Sequence, residues 1–231
     1  MRNRLKTLYR ICLAGLLVFG GVSAFASDQK RKTEPQAAEK TAARDAALDD
    51  LTFTEMVNSV PLDEKSAALI RKFQDKEGRA RLHGKEYNSK NGCMVETFRN
   101  KEVLLITIPA SKLFSPNEVE VRKDASSILA PLKRYLKDPE MYRVLLVMHT
   151  DNTGSEKYRE HITLERSTAL FDWFVKEGCD TRYLFSYAMS DADKLVENNS
   201  MANREKNRRL EVYLIPGKKM LEQAKKGRIV F

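Results

Sequence analysis

The run YRVLLVMHT, residues 142–150, constrains the fold more than any other segment. It is apolar almost without interruption and of strand length, and Asp151-Asn152-Thr153-Gly154 follows it with the chemistry of a turn. Residues 155–177 then switch to a helical pattern in which Ile162, Ala169, Leu170, Trp173 and Phe174 mark one face, and Gly178 stops it. A strand that turns directly into a helix is a building unit of layered structures in which helices cover a sheet.

Arg166 lies one turn after Ile162 and one turn before Leu170, inside or beside the stripe that this helix should bury. Burying an unpaired guanidinium costs on the order of several kcal/mol, so a partner is expected. Asp151 is the candidate, because it stands where the strand leaves the sheet and enters this same helix. Two readings follow from the residues alone. The pair is a plain ion pair joining strand to helix, or the two charges are held apart and face a ligand carrying both signs. In the second case Asp151 takes an ammonium, and Arg166 grips a carboxylate through two parallel hydrogen bonds.

The segments around this unit alternate. CMVETF and EVLLITI read as strands joined by a hairpin turn at RNK. Val121, Ala125, Ile128, Leu129, Leu132 and Leu136 recur at helical spacing, with Pro131 predicting a kink or a late start. YLFSYA is a further strand, a long polar loop runs through Asn198 and Asn199, and NRRLEVYLI is the last strand before Pro216-Gly217. The order β-β-α-β-α-β-β predicts an α+β domain, a mixed sheet covered by two helices, over residues 92–216.

Before that domain, MRNRLKTLYR is a basic segment, ICLAGLLVFGGVSA an apolar one, and Ala24-Phe25-Ala26 a small-residue cleavage site. Together they predict a secretory signal peptide over residues 1–26, and Cys12 stands too early in it to be a lipid-modified cysteine. Its removal takes away four basic residues and no acid, so the formal charge of the 231-residue chain falls from +9 to +5. That mild excess argues against nucleic acid as a partner. Residues 27–91 read as a charged, partly helical tether, a place for an envelope partner to attach. Residues 217–231 read as a basic tail, a solvated end or a short amphipathic helix on a membrane surface. Cys93 and Cys179 are the thiols left after cleavage, and their spacing leaves a disulfide and two separate thiols equally open.

An enzyme would need more than this chain offers. His149 and Asp151 with His161 or His83 would make a sparse metal set, and no His-Glu-x-x-His motif, Ser-His-Asp set or glycine-rich phosphate loop accompanies them. No catalytic residue, metal or cofactor is implied.

HTDNTGSEKYREHITLERS, residues 149–167, resembles the signature of the OmpA-like peptidoglycan-binding domain, in which a Thr-Asp-x-x-Gly turn leads to a helix carrying an arginine. NNSMANREKNRRLEVYL resembles the same family's Asn-Arg-Arg ending, through Asn198, Ser200, Arg204, Asn207, Arg208, Arg209 and Glu211, and LLITIPASKLFSPNEVEVRKDA its strand and first-helix opening. The resemblance implies non-covalent binding of peptidoglycan by a periplasmic or outer-membrane-associated protein. Asp151 and Arg166 would hold the amino and carboxylate groups of a diaminopimelate residue, Arg208 would wall the pocket, and Thr150 and Asn152 would line the turn. Arg159 stands where the family has an asparagine, as a second carboxylate grip or as an obstruction. Met148, Ala188, Ser190 and Lys194 also depart from the family pattern. The alternative is an envelope scaffold that keeps the fold and has lost the ligand.

Overall fold

The computed structural model describes residues 52–58, 63–78, 81, 82, 86–88, 90 and 92–231. The signal peptide and most of the early tether lie outside the described residues. The chain runs α1 (Phe53–Asn58), α2 (Glu64–Glu77), β1 (Met94–Phe98), β2 (Val103–Pro109), α3 (Ser126–Leu129), β3 (Tyr142–His149), α4 (Glu156–Lys176), β4 (Leu184–Ala188), α5 (Met201–Asn207), β5 (Arg209–Pro216) and α6 (Lys218–Lys225). The five strands form one sheet in the order β1-β2-β5-β3-β4. β3 and β4 run parallel, whereas β1–β2, β2–β5 and β5–β3 are antiparallel, which makes the fold the mixed-sheet α+β architecture expected.

The period of two along each strand divides the sheet into two buried faces. Leu104, Ile106, Val144, Leu146, Met148, Leu210, Val212 and Leu214 point to one face, packed by Leu129 and Leu132, by Leu170 and Phe174 of α4, and by Ile70 of α2. Leu105, Leu145, Val147, Tyr213 and Ile215 point to the other, where Met56 and Val57 of α1 cover them. The central position of β5 explains why all eight of its residues are buried.

The β1–β2 hairpin turns at Arg99-Asn100-Lys101 as the sequence suggests, with all three residues at positive φ. Side-chain bonds from Arg99 to Glu102 Oε2 at 3.0 and 2.8 Å, and to the Val57 carbonyl at 2.6 Å, offset the cost of that left-handed backbone. The helix expected around Pro131 is mostly not α. A 3₁₀ turn at Lys123–Ala125 leads into the single α turn of α3, and a 3₁₀ helix continues from Ala130 to Leu136. Pro131 supplies no amide hydrogen, and the buried residues Leu129, Leu132 and Tyr135 recur every third residue, as a threefold helix requires. The polar loop before β5 also contains a helix, α5, capped by the Ser200 side chain.

Two segments expected outside the domain pack into it. Ile70, Leu82 and Tyr87 are core residues, so part of the stretch read as a tether contributes to the core. Gln74 of α2, fully buried, donates to the carbonyls of Glu102 and Leu214 and accepts from the Tyr142 hydroxyl. The basic tail is not a merely solvated end. Met220 and Ala224 of α6 enter the core, which uses up its apolar face. The Phe231 ring stacks on Tyr135 at 5.7 Å, meets Tyr142 edge-on at 5.1 Å, and lies under the Arg134 guanidinium. Cys93 and Cys179 are separate thiols.

Candidate functional site

The site is assembled where β3 ends. The ladder between β3 and β4 continues past the strands, with the Met189 amide donating to Met148 and the Thr150 amide donating to Ser190, both at 2.9 Å. This fixes Thr150 at the sheet's end and presents Asp151 to the turn. Asp151 Oδ1 accepts the Thr153 amide at 2.7 Å, closing an Asx turn. Gly154 follows at φ +83°, where a side chain would be strained and an added Cβ would stand 2.8 Å from the Tyr158 ring. Ser155 then caps α4 by accepting the Tyr158 amide at 3.2 Å.

Asp151 is only 2% exposed. Its Oδ2 accepts a hydrogen bond from Arg208 Nη1, and the two form an ion pair. Burial pushes the Asp151 carboxyl upward, but the bonds from Thr153 and the Arg208 charge outweigh it and hold the group below its usual range. Arg208 is the residue between α5 and β5. Its amide donates to Arg204 and its carbonyl accepts from Ala110, while its side chain remains one-third exposed.

Arg166, 6% exposed, faces the loop after β2. Its Nε donates to the Glu118 carbonyl at 2.8 Å and its Nη2 to the Ser115 carbonyl at 3.2 Å, and the guanidinium lies 4.8 Å above the Phe114 ring. A bridge between Phe114 and Val121 closes that loop, and the Glu118 amide donates to the same Ser115 carbonyl. The partner expected for Arg166 is therefore not the Asp151 carboxylate. Backbone carbonyls and an aromatic face hold it, and among the described residues no carboxylate forms an ion pair with it. Burial pushes its proton affinity down, and the nearby charge of Arg208 adds to this while Tyr158 and Glu118 oppose it. Arg208 thus stands between Asp151, which it binds, and Arg166, which feels its charge.

Arg159 points elsewhere. Its Nε donates to Asp191 Oδ1 at 2.9 Å and its Nη1 to the Gly154 carbonyl at 2.7 Å, joining α4 to the loop after β4. Asn152 lines a polar cleft of about 430 Å³ with Asp191, Lys194 and Asn198. The Tyr158 hydroxyl, at the start of α4, donates to Asn117 Oδ1 at 3.1 Å.

A buried ionic cluster lies behind the turn on the opposite sheet face. Arg209 Nε donates to Glu211 Oε1 at 2.9 Å, the Tyr213 hydroxyl donates to Oε2 at 2.6 Å, and His149 Nε2 stands 3.5 Å from Oε2. Neither ring nitrogen of His149 makes a hydrogen bond. Burial and then the Arg209 charge push His149 below its ordinary value. Burial alone would raise the Glu211 carboxyl, but His149, Arg209 and Tyr213 hold it well below the usual carboxylate range. His161 is an exposed residue of α4, and among the described residues no group of three or more His, Cys, Asp or Glu side chains is arranged to hold a metal ion. Thr153 is foreshadowed by the turn composition, whereas the roles of Phe114, Ser115 and Asp191 carry no sequence signal of their own.

Residues 113–208 match the model of the OmpA family. The chain is 19% identical over 125 residues to the protein named "Probable lipoprotein YiaD" of Escherichia coli (strain K12), covering 54% of this chain and 57% of that protein. It is 18% identical over 114 residues to "Outer membrane protein A" of Bordetella avium, covering 49% of this chain and 59% of that protein. It therefore spans less than two thirds of either relative. A crystal structure of a MotB like protein from Desulfovibrio vulgaris shares the fold, with a TM-score of 0.53 and 23% identity over 65% of this chain and 98% of that one. Over residues 113–208, which hold Asp151, Arg166 and Arg208, this chain carries an OmpA family domain.

Proposed function

We propose that this domain binds peptidoglycan without a covalent bond and holds the protein to the cell wall within the bacterial envelope. The ligand group is the zwitterionic end of a diaminopimelate residue in a stem peptide. Asp151 receives its ammonium and Arg166 its carboxylate, with Arg208 walling the pocket and Thr150 and Asn152 shaping the turn. One observation carries this reading: Asp151 and Arg166 are both buried at one end of the sheet, have opposite charges, and are not paired with each other. Each is held by other groups, Asp151 by Arg208 and Thr153 and Arg166 by backbone carbonyls, so neither charge is spent on the other and a ligand of both signs suits the pair. The family match over residues 113–208 supports the same reading, as do the names of the envelope relatives.

Arg159 takes a lesser part here. Its guanidinium is engaged by Asp191 and Gly154, so it holds the shape of the turn from outside.

The experiment is co-sedimentation of the protein with purified sacculi. The parent protein pellets, and Asp151→Ala and Arg166→Ala stay in the supernatant while circular dichroism confirms that both are folded. Pelleting of both folded variants at the parent level would remove this pocket from the binding site. Because the contacts are ionic, pelleting of the parent declines as salt is raised.

A further inference from the structure

We infer that Arg208 is a built-in competitor for the ligand's ammonium, a side-chain gate seated on Asp151 that must swing away before the site accepts a zwitterion. The inference rests on the pocket reading above and adds to it a device that sets affinity and selectivity. Both oxygens of Asp151 are already used, Oδ1 by the Thr153 amide and Oδ2 by Arg208. The carboxylate side chain is 3% exposed, so an incoming ammonium has no open approach while Arg208 stays in place. Of the two partners only Arg208 can leave cheaply. Losing the Thr153 bond would undo the turn that leads into α4, whereas the Arg208 side chain is 34% exposed and can re-enter water.

The backbone confines the motion to that side chain. The Arg208 amide and carbonyl are bonded to Arg204 and Ala110, and Arg209 next to it is held by Glu211 and by the carbonyls of Asn207 and Asp193. No loop has to open. Arg166 differs, since two carbonyls and the Phe114 ring hold its guanidinium in place. The resting site therefore presents a fixed cation beside a neutralised anion. The ligand's ammonium displaces Arg208 from Asp151 as its carboxylate reaches Arg166. A ligand with a carboxylate alone gains nothing from that exchange.

The test compares meso-diaminopimelate with pimelate, the same seven-carbon diacid without amino groups, by calorimetric titration of the full mature chain. Arg208→Met keeps an unbranched apolar stem, shorter by the guanidinium end, and removes its charge and donors. It should tighten diaminopimelate by roughly fivefold, the population gained when a partly exposed ion pair no longer occupies the seat, and should leave pimelate unchanged or weaker. Weaker diaminopimelate binding in Arg208→Met would overturn the gate and make Arg208 a direct grip. Asp151→Asn separates the two levels. If it abolishes the preference for diaminopimelate over pimelate while Arg208→Met fails to tighten, only the gate is wrong. If it leaves diaminopimelate binding intact, the pocket reading and the gate fall together. Side-chain nitrogen NMR of Arg208 supplies a readout that does not depend on a variant's folding: its resonance should move to that of a solvated guanidinium at saturation with diaminopimelate. A resonance that stays at its ligand-free position overturns the gate.

Discussion

Arg159 and Asp191 form a clamp between the first turn of α4 and the loop after β4, with Nε and Oδ1 2.9 Å apart. Arg159, which departs from the pattern the sequence resembles, thus serves the frame of the site. Both side chains are partly buried, at 18% and 27% exposure, and Arg159 reaches the Gly154 carbonyl as well. Replacing Arg159 by alanine should lower stability by about 1–2 kcal/mol, the range for a charge-assisted bond that water only partly replaces. Sacculus binding should stay within about twofold of the parent once measured on folded protein. Chemical denaturation and pelleting check the two halves, and a binding loss as deep as that of Asp151→Ala would make Arg159 a direct contact.

Gly154 offers a test of the turn itself. Alanine there meets two costs, the positive φ and the 2.8 Å approach to the Tyr158 ring. Gly154→Ala should destabilise by about 1–2 kcal/mol. Adding Tyr158→Ala should recover only the steric part, so the double variant should be less unstable than the sum of the two singles. Urea titrations of the four proteins measure this directly, and strict additivity would argue that the ring is not in the way.

Arg166→Lys keeps the charge and should still lose most sacculus binding. A lysine cannot donate to the Ser115 and Glu118 carbonyls in the fork geometry while lying flat on Phe114. Retention of parental pelleting would mean that charge alone is enough.

His149 gives the fold a pH dependence of known sign. Its buried ring, beside Arg209 and Glu211, has its proton affinity lowered from the ordinary value of 6.5. As pH drops through that ordinary value the unfolded chain takes up a proton that the folded chain resists, so stability present at neutral pH is lost on acidification. Glu211 acts later: its lowered carboxyl stabilises the fold above its ordinary value of 4.5 and is lost below it. Melting midpoints measured from about pH 7 to about pH 5 should fall for the parent, and the slope should shrink in His149→Gln. An unchanged slope would assign it to other groups.

Removal of residues 217–231 should cost far more than trimming a solvated end. Met220 and Ala224 leave the core and the rings of Tyr135 and Tyr142 lose Phe231. Phe231→Ala alone should lower stability by about 1–3 kcal/mol, because the ring is only partly buried. A melting midpoint equal to the parent's would show that the stacked rings contribute nothing.

The sequence made the strands and α4 legible because apolar runs and a 3.6-residue stripe are decided locally. It shows helical character over α2 as well but hides that this helix packs into the domain, because Gln74 satisfies two sheet carbonyls and a tyrosine, a role no hydrophobic pattern announces. A short amphipathic helix in the tail is legible, but the docking of α6 into the core is not, since eight lysine-rich residues with two buried side chains look like a surface. At the site, Asp151 was legible from its turn and Arg166 from its misplacement on a helix face. The holders of Arg166 were not, because carbonyl groups are common to every residue and only the fold says which of them converge. The ion pair of Asp151 went to Arg208 instead, 57 residues away along the chain.

β5 connects the two ends of this protein. Arg208 and the Asp151 turn lie where β5 begins, while Gln74 of α2 bonds the Leu214 carbonyl near where it ends, and α6 follows directly. If the wall is held at Asp151 as proposed, a pull transmitted through α2 would run along β5, between antiparallel neighbours on both sides. Such a load shears many ladder bonds together instead of peeling them one by one. Under the proposed attachment to the wall, β5 is the element that would carry the load.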